Sequence, residues 1–217
     1  MLKFPGNEAK ASEYIQKAIT LDTLEENKIE YITSVANSYL ASQNFYEAGN
    51  WYTKLLSVKK NPTKTDLYNA GYNYYKGANY KSADSLFTIY QQKYNDDVLG
   101  YYYGAIVKAN IDSSSTLGLA LPDYQKLIEV ASKLPDTARG KQLQITGLKY
   151  MVNYNYNVKK DKAATLAVIE RILALDPNDE TAKANKAALN AAPVRTTTPA
   201  KKPHLQKQLL KQKSKNK

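Results

Sequence analysis

Residues 67–87 read LYNAGYNYYKGANYKSADSLF, and residues 32–52 read ITSVANSYLASQNFYEAGNWY. Set against each other at an interval of 35 residues, the two stretches match in kind. Ala36, Tyr39, Phe45, Ala48 and Tyr52 stand where Gly71, Tyr74, Tyr80, Ala83 and Phe87 stand. A small residue, an aromatic three later, an aromatic six after that, then Ala and an aromatic four apart is the pattern of a two-helix hairpin. The small residues let two helices approach closely, and the rings fill the space between neighbouring hairpins. Ile32, Val35, Ala36 and Tyr39 share one face of the first helix, and Phe45, Ala48, Tyr52, Leu55 and Leu56 share one face of the second.

The composition agrees with a helical array. The chain has 217 residues, of which 43% are apolar and 24% charged, so disorder of the whole chain is excluded. Only nine Gly and eight Pro leave room for long helices. No run approaches the roughly 18 apolar residues of a membrane span, and Asn7, Glu8 and Lys10 interrupt the N-terminus where a secretory signal would need an apolar core. Cysteine is absent, so neither disulfides nor thiolate sites arise and the redox compartment is not encoded. Tyrosine is the outlier, with 19 copies against three Phe and one Trp. Its ring packs like that of Phe while its hydroxyl needs water or a partner, which suits helices half buried and half facing a groove.

A period near 34 with these residue types resembles the tetratricopeptide repeat, a helix-turn-helix unit that stacks into a solenoid. The resemblance is carried by Leu67, Ala70, Gly71, Tyr74, Tyr80, Ala83 and Phe87 and covers roughly residues 7–192. It implies an all-α, right-handed superhelical solenoid of antiparallel helix pairs. The expected layout is a half repeat over 7–22, repeats over about 29–62, 64–97, 98–135 and 141–177, and a capping helix over 179–191. In the third repeat Gly104 takes the small-residue place and Ala120 the later Ala. They stand sixteen residues apart against twelve between Gly71 and Ala83, so four extra residues are expected in the polar turn near 112–116. Pro122 then belongs in the first turn of a helix. In the fourth repeat Met151, Tyr154 and Ala163 fit one register, and residues 173–177 fit one a residue or two later.

Beyond Ala192 the composition changes. Arg195, Lys201, Lys202, Lys207, Lys211, Lys213, Lys215 and Lys217 occur with no acid and supply eight of the net +11, leaving +3 for the body. With Pro193, Pro199 and Pro203 among them, these residues read as a disordered basic arm able to contact nucleic acid or an anionic membrane weakly.

Catalytic chemistry finds little to hold. The one histidine, His204, lies in the arm, and the acid pairs Glu25-Glu26 and Asp96-Asp97 sit where helix starts favour negative charge. No Gly-rich phosphate loop is followed by Gly-Lys-Ser/Thr. No cofactor, metal or small-molecule substrate is expected, and the chain reads as a non-enzyme. The carboxylate clamp by which some tetratricopeptide domains hold a chaperone tail is not expected either. Asn37 and Asn69 stand at its Asn places, but Thr33, Val98 and Tyr102 stand where it needs cations. The resemblance instead implies a protein or peptide partner lying in the concave groove against Asn37, Tyr68, Tyr72, Tyr75, Lys76, Tyr101 and Lys108. By this pattern the chain is expected to begin inside a repeat, so the alternative expectation is a scaffold piece of a larger cell-envelope protein. The default location is cytoplasmic, with a periplasmic or envelope site if the native chain is longer.

Overall fold

The computed structural model describes residues 8–191, and all regular structure among them is helical. In order come α1 (Glu8–Leu21), α2 (Glu25–Ala41), α3 (Phe45–Val58), α4 (Lys64–Lys76), α5 (Tyr80–Lys93), α6 (Val98–Ile111), α7 (Leu121–Ala131), α8 (Thr137–Tyr154), α9 (Lys162–Leu175) and α10 (Glu180–Asn190). A five-residue π-helical segment, Asn155–Lys159, continues α8. The chain divides into two compact units, Met1–Gly147 and Leu148–Lys217, and the division falls inside α8. The basic residues from Arg195 to Lys217 lie outside the described residues. No helix among the described residues is long and apolar enough to cross a membrane.

In the first unit each helix from α1 to α7 packs on the next, and α4 also touches α6. The 35-residue interval is written into the backbone. Gln43 and Ala78 turn the chain with φ of 58° and 57°. Asn44 N–H donates to Tyr39 O at 2.8 Å and Asn79 N–H to Tyr74 O at 2.9 Å. Each Asn then caps the next helix, Asn44 accepting from Glu47 N and Asn79 from Ser82 N. Both hairpins thus share a three-residue turn whose second residue is left-handed and whose third is an Asn cap.

Buried side chains repeat on the second helices with i, i+4, i+7 spacing: Ala48, Tyr52, Leu55; Ala83, Phe87, Tyr90; Tyr124, Ile128, Ala131; Thr165, Ile169, Ile172. The caps ahead of them, Asn44, Asn79, Ala120 and Asp161, keep the same intervals of 35, 41 and 41 residues. Full burial of a side chain such as Phe87, Ile169 or Ile172 contributes about 1.5–3 kcal/mol each.

Two sequence expectations are corrected by this register. In the third hairpin Ala120 is the residue before α7, and Tyr124 holds the place of Ala83. The buried trio Leu67, Ala70, Gly71 of α4 returns as Tyr101, Gly104, Ala105 in α6, 34 residues on. Nineteen residues therefore separate Ala105 from Tyr124, against twelve from Gly71 to Ala83, and the insertion is seven residues rather than four. Gly104 misleads because its missing side chain makes room for something else: a Cβ there would lie 2.4 Å from Gln91 Nε2 and 2.6 Å from Asp123 Oδ2. The inserted turn, 112–120, is organised by buried Asp112, whose Oδ2 accepts from Leu117 N at 3.0 Å and Leu119 N at 3.4 Å. Pro122 sits in the first turn of α7.

In the second unit Ala163 is exposed and Thr165, two residues later, is fully buried. The π-helical segment and Lys160, with φ 56°, intervene before the Asp161 cap and set this later register. α10 packs on α9, and Lys186 pairs with Glu170 at 2.7 Å between them.

Candidate partner-binding surface

Consecutive helical residues point about 100° apart, so three adjacent tyrosines cannot share a face. On α6, Tyr101, Tyr102 and Tyr103 separate accordingly. Tyr101 is buried and its hydroxyl donates to Asn95 O at 3.0 Å, which removes it from the surface where the sequence expects it. Its place in α6 is that of Leu67 in α4, a core position, and Tyr102 holds the place of Tyr68.

Tyr103 reaches towards α4 and becomes the hub of an aromatic cluster. Its ring centroid lies 5.4 Å from Tyr68 and 5.4 Å from Tyr72, both edge-on, 6.1 Å from Tyr75, 5.6 Å from Phe87 in a stack, and 5.1 Å from Tyr102. Tyr68 and Tyr72 stack on each other at 5.4 Å, one turn apart on α4. Tyr72 and Tyr75 tilt at 6.2 Å, and Tyr75 and Tyr80 at 6.4 Å. Such ring pairs add about 0.5–1.5 kcal/mol each beyond their buried area. All six tyrosines are partly exposed, so the cluster has a buried floor, Phe87, and an accessible rim.

The Tyr68 hydroxyl donates to the Tyr103 hydroxyl at 3.3 Å, and no hydrogen bond among the described residues uses the hydroxyls of Tyr72, Tyr75 or Tyr102. Burial pushes the Tyr75 and Tyr102 hydroxyls above their ordinary range, and burial together with the Tyr68 hydrogen bond does the same to Tyr103. These three hydroxyls therefore stay protonated at physiological pH.

Of the other residues expected at the groove, Lys108 is placed differently. Its ammonium pairs with Asp123 at 2.7 Å and Asp84 at 3.1 Å, and Gln91 Nε2 donates to the same Asp123 Oδ2 at 3.0 Å. Burial alone would lower its pKa, but the two carboxylates outweigh it and raise it. Lys108 is thus a tie between α5, α6 and α7. It stands where α4 has Tyr74, whose hydroxyl donates back to Asn50 Oδ1 at 2.7 Å, and where α2 has Tyr39, bonded to Ser12 at 2.9 Å. All three residues reach back to the preceding helix, α1, α3 and α5 in turn. Lys76 is exposed, with Nζ 5.4 Å from the Phe45 ring centroid. Asn37 accepts from the Tyr52 hydroxyl at 3.2 Å. It occupies in α2 the place of Tyr72, with Thr33 and Leu40 in the places of Tyr68 and Tyr75, so the six-ring rim does not extend onto α2. Tyr68, Tyr72 and Tyr75 are brought together; Asn37, Lys76, Tyr101 and Lys108 are not part of their cluster. Tyr102 and Tyr103 were missed in the sequence, although the run of three tyrosines was the available signal.

No known protein-family profile and no curated protein sequence matches the chain. Among solved structures it is similar to the C-terminal part of a TPR repeat-containing protein from Cytophaga hutchinsonii, with 28% identity and a TM-score of 0.63, covering 79% of this chain and 64% of that one. The chain therefore spans less than two thirds of that structure's length. It is also similar to the MamA RS-1 ArsTM double mutant, with 17% identity and a TM-score of 0.51 over 75% of this chain and 83% of that one, a likeness of fold alone. With the backbone turns repeated at 35 residues, the helix-on-helix packing and these structural likenesses, the chain has a tetratricopeptide-type helical-repeat fold.

Proposed function

We propose that this chain is a non-catalytic scaffold that binds a segment of a partner protein along the tyrosine rim of α4 and α6. In this reading the hairpins α2–α3, α4–α5, α6–α7 and α8–α9 are the repeats, α1 is the second helix of a half repeat and α10 is a cap. The observation that carries it is the six-tyrosine cluster around Tyr103, since a fold needing only packing would bury those hydroxyls or use Phe. Tyrosines supply large contact area with little side-chain entropy lost and a hydroxyl for pairing, the character of interface anchors. The first helices of successive repeats meet here, α4 against α6, so one extended ligand can touch both.

A peptide-display library selected against the purified chain tests this reading. Selected peptides should lose at least tenfold in affinity for the Tyr72→Ala, Tyr75→Ala variant, while its helical circular dichroism stays within a few per cent of the parent. Peptides that bind the folded variant equally well would contradict the proposal, and collapse of the helical signal would assign these rings to the core.

A further inference from the structure

We infer that the segment received by the tyrosine rim is an extended, proline-rich stretch in the polyproline II conformation. This rests on the groove reading above and gives its ligand a chemical class. The first support is spacing. Tyr68 and Tyr75 are seven residues apart on α4, about 10 Å along its axis, and one turn of polyproline II advances about 9 Å. A proline at every third residue therefore returns to the same row of rings.

The second support is ring geometry. Tyr68 and Tyr72 are stacked with an interplanar angle of 13°, and Tyr103 is stacked on Phe87 at 14°. Faces on which a nucleobase or sugar would lie are thus partly consumed within the cluster. Other pairs are tilted, 49° between Tyr72 and Tyr75 and 44° between Tyr75 and Tyr80, so these partly exposed rings form V-shaped notches rather than flat faces. A pyrrolidine ring, compact and lacking a polar edge, suits such a notch.

The third support is polar complementarity. The rim offers hydroxyl donors on Tyr72, Tyr75 and Tyr102, while of the two lysines expected beside them Lys108 is consumed by Asp84 and Asp123 and Lys76 lies over the Phe45 ring, outside the cluster. Proline-rich backbone offers carbonyl acceptors with few N–H groups and no required charge. A helical ligand has its central carbonyls already paired, and an acidic one would find no free cation within the cluster. The preformed polyproline II helix also loses little chain entropy on docking, which aromatic-lined grooves exploit elsewhere.

Isothermal titration of the full chain with acetylated dodecaproline tests the inference, with a twelve-residue Gly-Ser peptide as control. Saturable binding of dodecaproline, no binding of the control, at least a tenfold loss in Tyr72→Ala and a two- to fivefold loss in Tyr72→Phe are expected, with Ile89→Ala on α5 unchanged. Absence of dodecaproline binding, equal binding of the Gly-Ser peptide, or undiminished binding by a folded Tyr72→Ala variant would overturn it. Should Tyr72→Ala fail to fold, Tyr72→Phe retains the ring and decides the hydroxyl's part. Display-selected peptides that depend on Tyr72 but contain no proline would overturn this inference and leave the groove reading standing. Peptides with no dependence on Tyr72 would remove both.

Discussion

Ala78 holds a left-handed backbone, φ 57°, between α4 and α5, a conformation in which its Cβ crowds the following carbonyl. That crowding costs about 1–2 kcal/mol, whereas the extra freedom of glycine in the unfolded chain costs about 0.4–1 kcal/mol. Ala78→Gly should therefore stabilise the fold by about 0.5–1 kcal/mol and raise the midpoint of a thermal melt by about 1–3 °C. Ala83→Gly, inside α5 and fully buried, should do the opposite by about 1 kcal/mol, so the pair of melts separates backbone strain from a general tolerance of glycine. At this scale the sequence was readable where a residue's size decided its place. Gly71, beneath Phe87 with a Cβ distance of 3.1 Å, and Ala48 and Ala83, both fully buried, were legible as small for close approach. Gly104 was not, because its size serves a carboxamide and a carboxylate that arrive from 91 and 123. That one residue shifted the register of α6 and placed Tyr101 and Lys108 at a surface they do not line.

The start of α4 shows how an element is pinned by charge. Thr63 accepts from Asp66 N, Asp66 accepts from Thr63 N at 2.8 Å, and Lys59 Nζ reaches both Asp66 oxygens, at 3.0 and 2.8 Å. Burial pushes the Asp66 carboxyl up, but the bonds from Lys59 and Thr63 outweigh it and hold its pKa below the usual 3.8. A carboxyl depressed in the folded state contributes stability above its unfolded pKa and loses it as pH falls through the folded value. Urea unfolding should accordingly show Asp66→Asn less stable than the parent by about 1–2 kcal/mol at pH 7, with the gap narrowing as pH drops from about 5 towards 2. A gap that stays constant over that range would mean that the cap acts through shape alone. Other elements resisted the sequence for reasons of length. Three residues, 77–79, join α4 to α5, but nine, 112–120, join α6 to α7. α8 extends for 18 residues and runs on through five more in π-helical form, where α4 has 13. Insertions placed in a turn in one hairpin and in a helix in the next leave no single period to count.

Across the molecule, the second helices begin at intervals of 35, 41 and 41 residues and keep one burial pattern through all of them. The fold survives the changing interval because each hairpin needs to match only its neighbours. Whether a hairpin array is a scaffold depends on what its first helices present, and here α4 and α6 present tyrosine. The most direct measurement places a photo-crosslinker there. The chain carrying Tyr72→p-benzoyl-phenylalanine, and separately one carrying Ile89→p-benzoyl-phenylalanine on the exposed side of α5, would be expressed in the native host and irradiated. The account predicts a covalent adduct from position 72, with an extended and proline-rich partner segment as the crosslinked peptide, and none from position 89. Adducts from position 89 alone, or the same set of adducts from both, would contradict the claim that the tyrosine rim is the surface this protein uses.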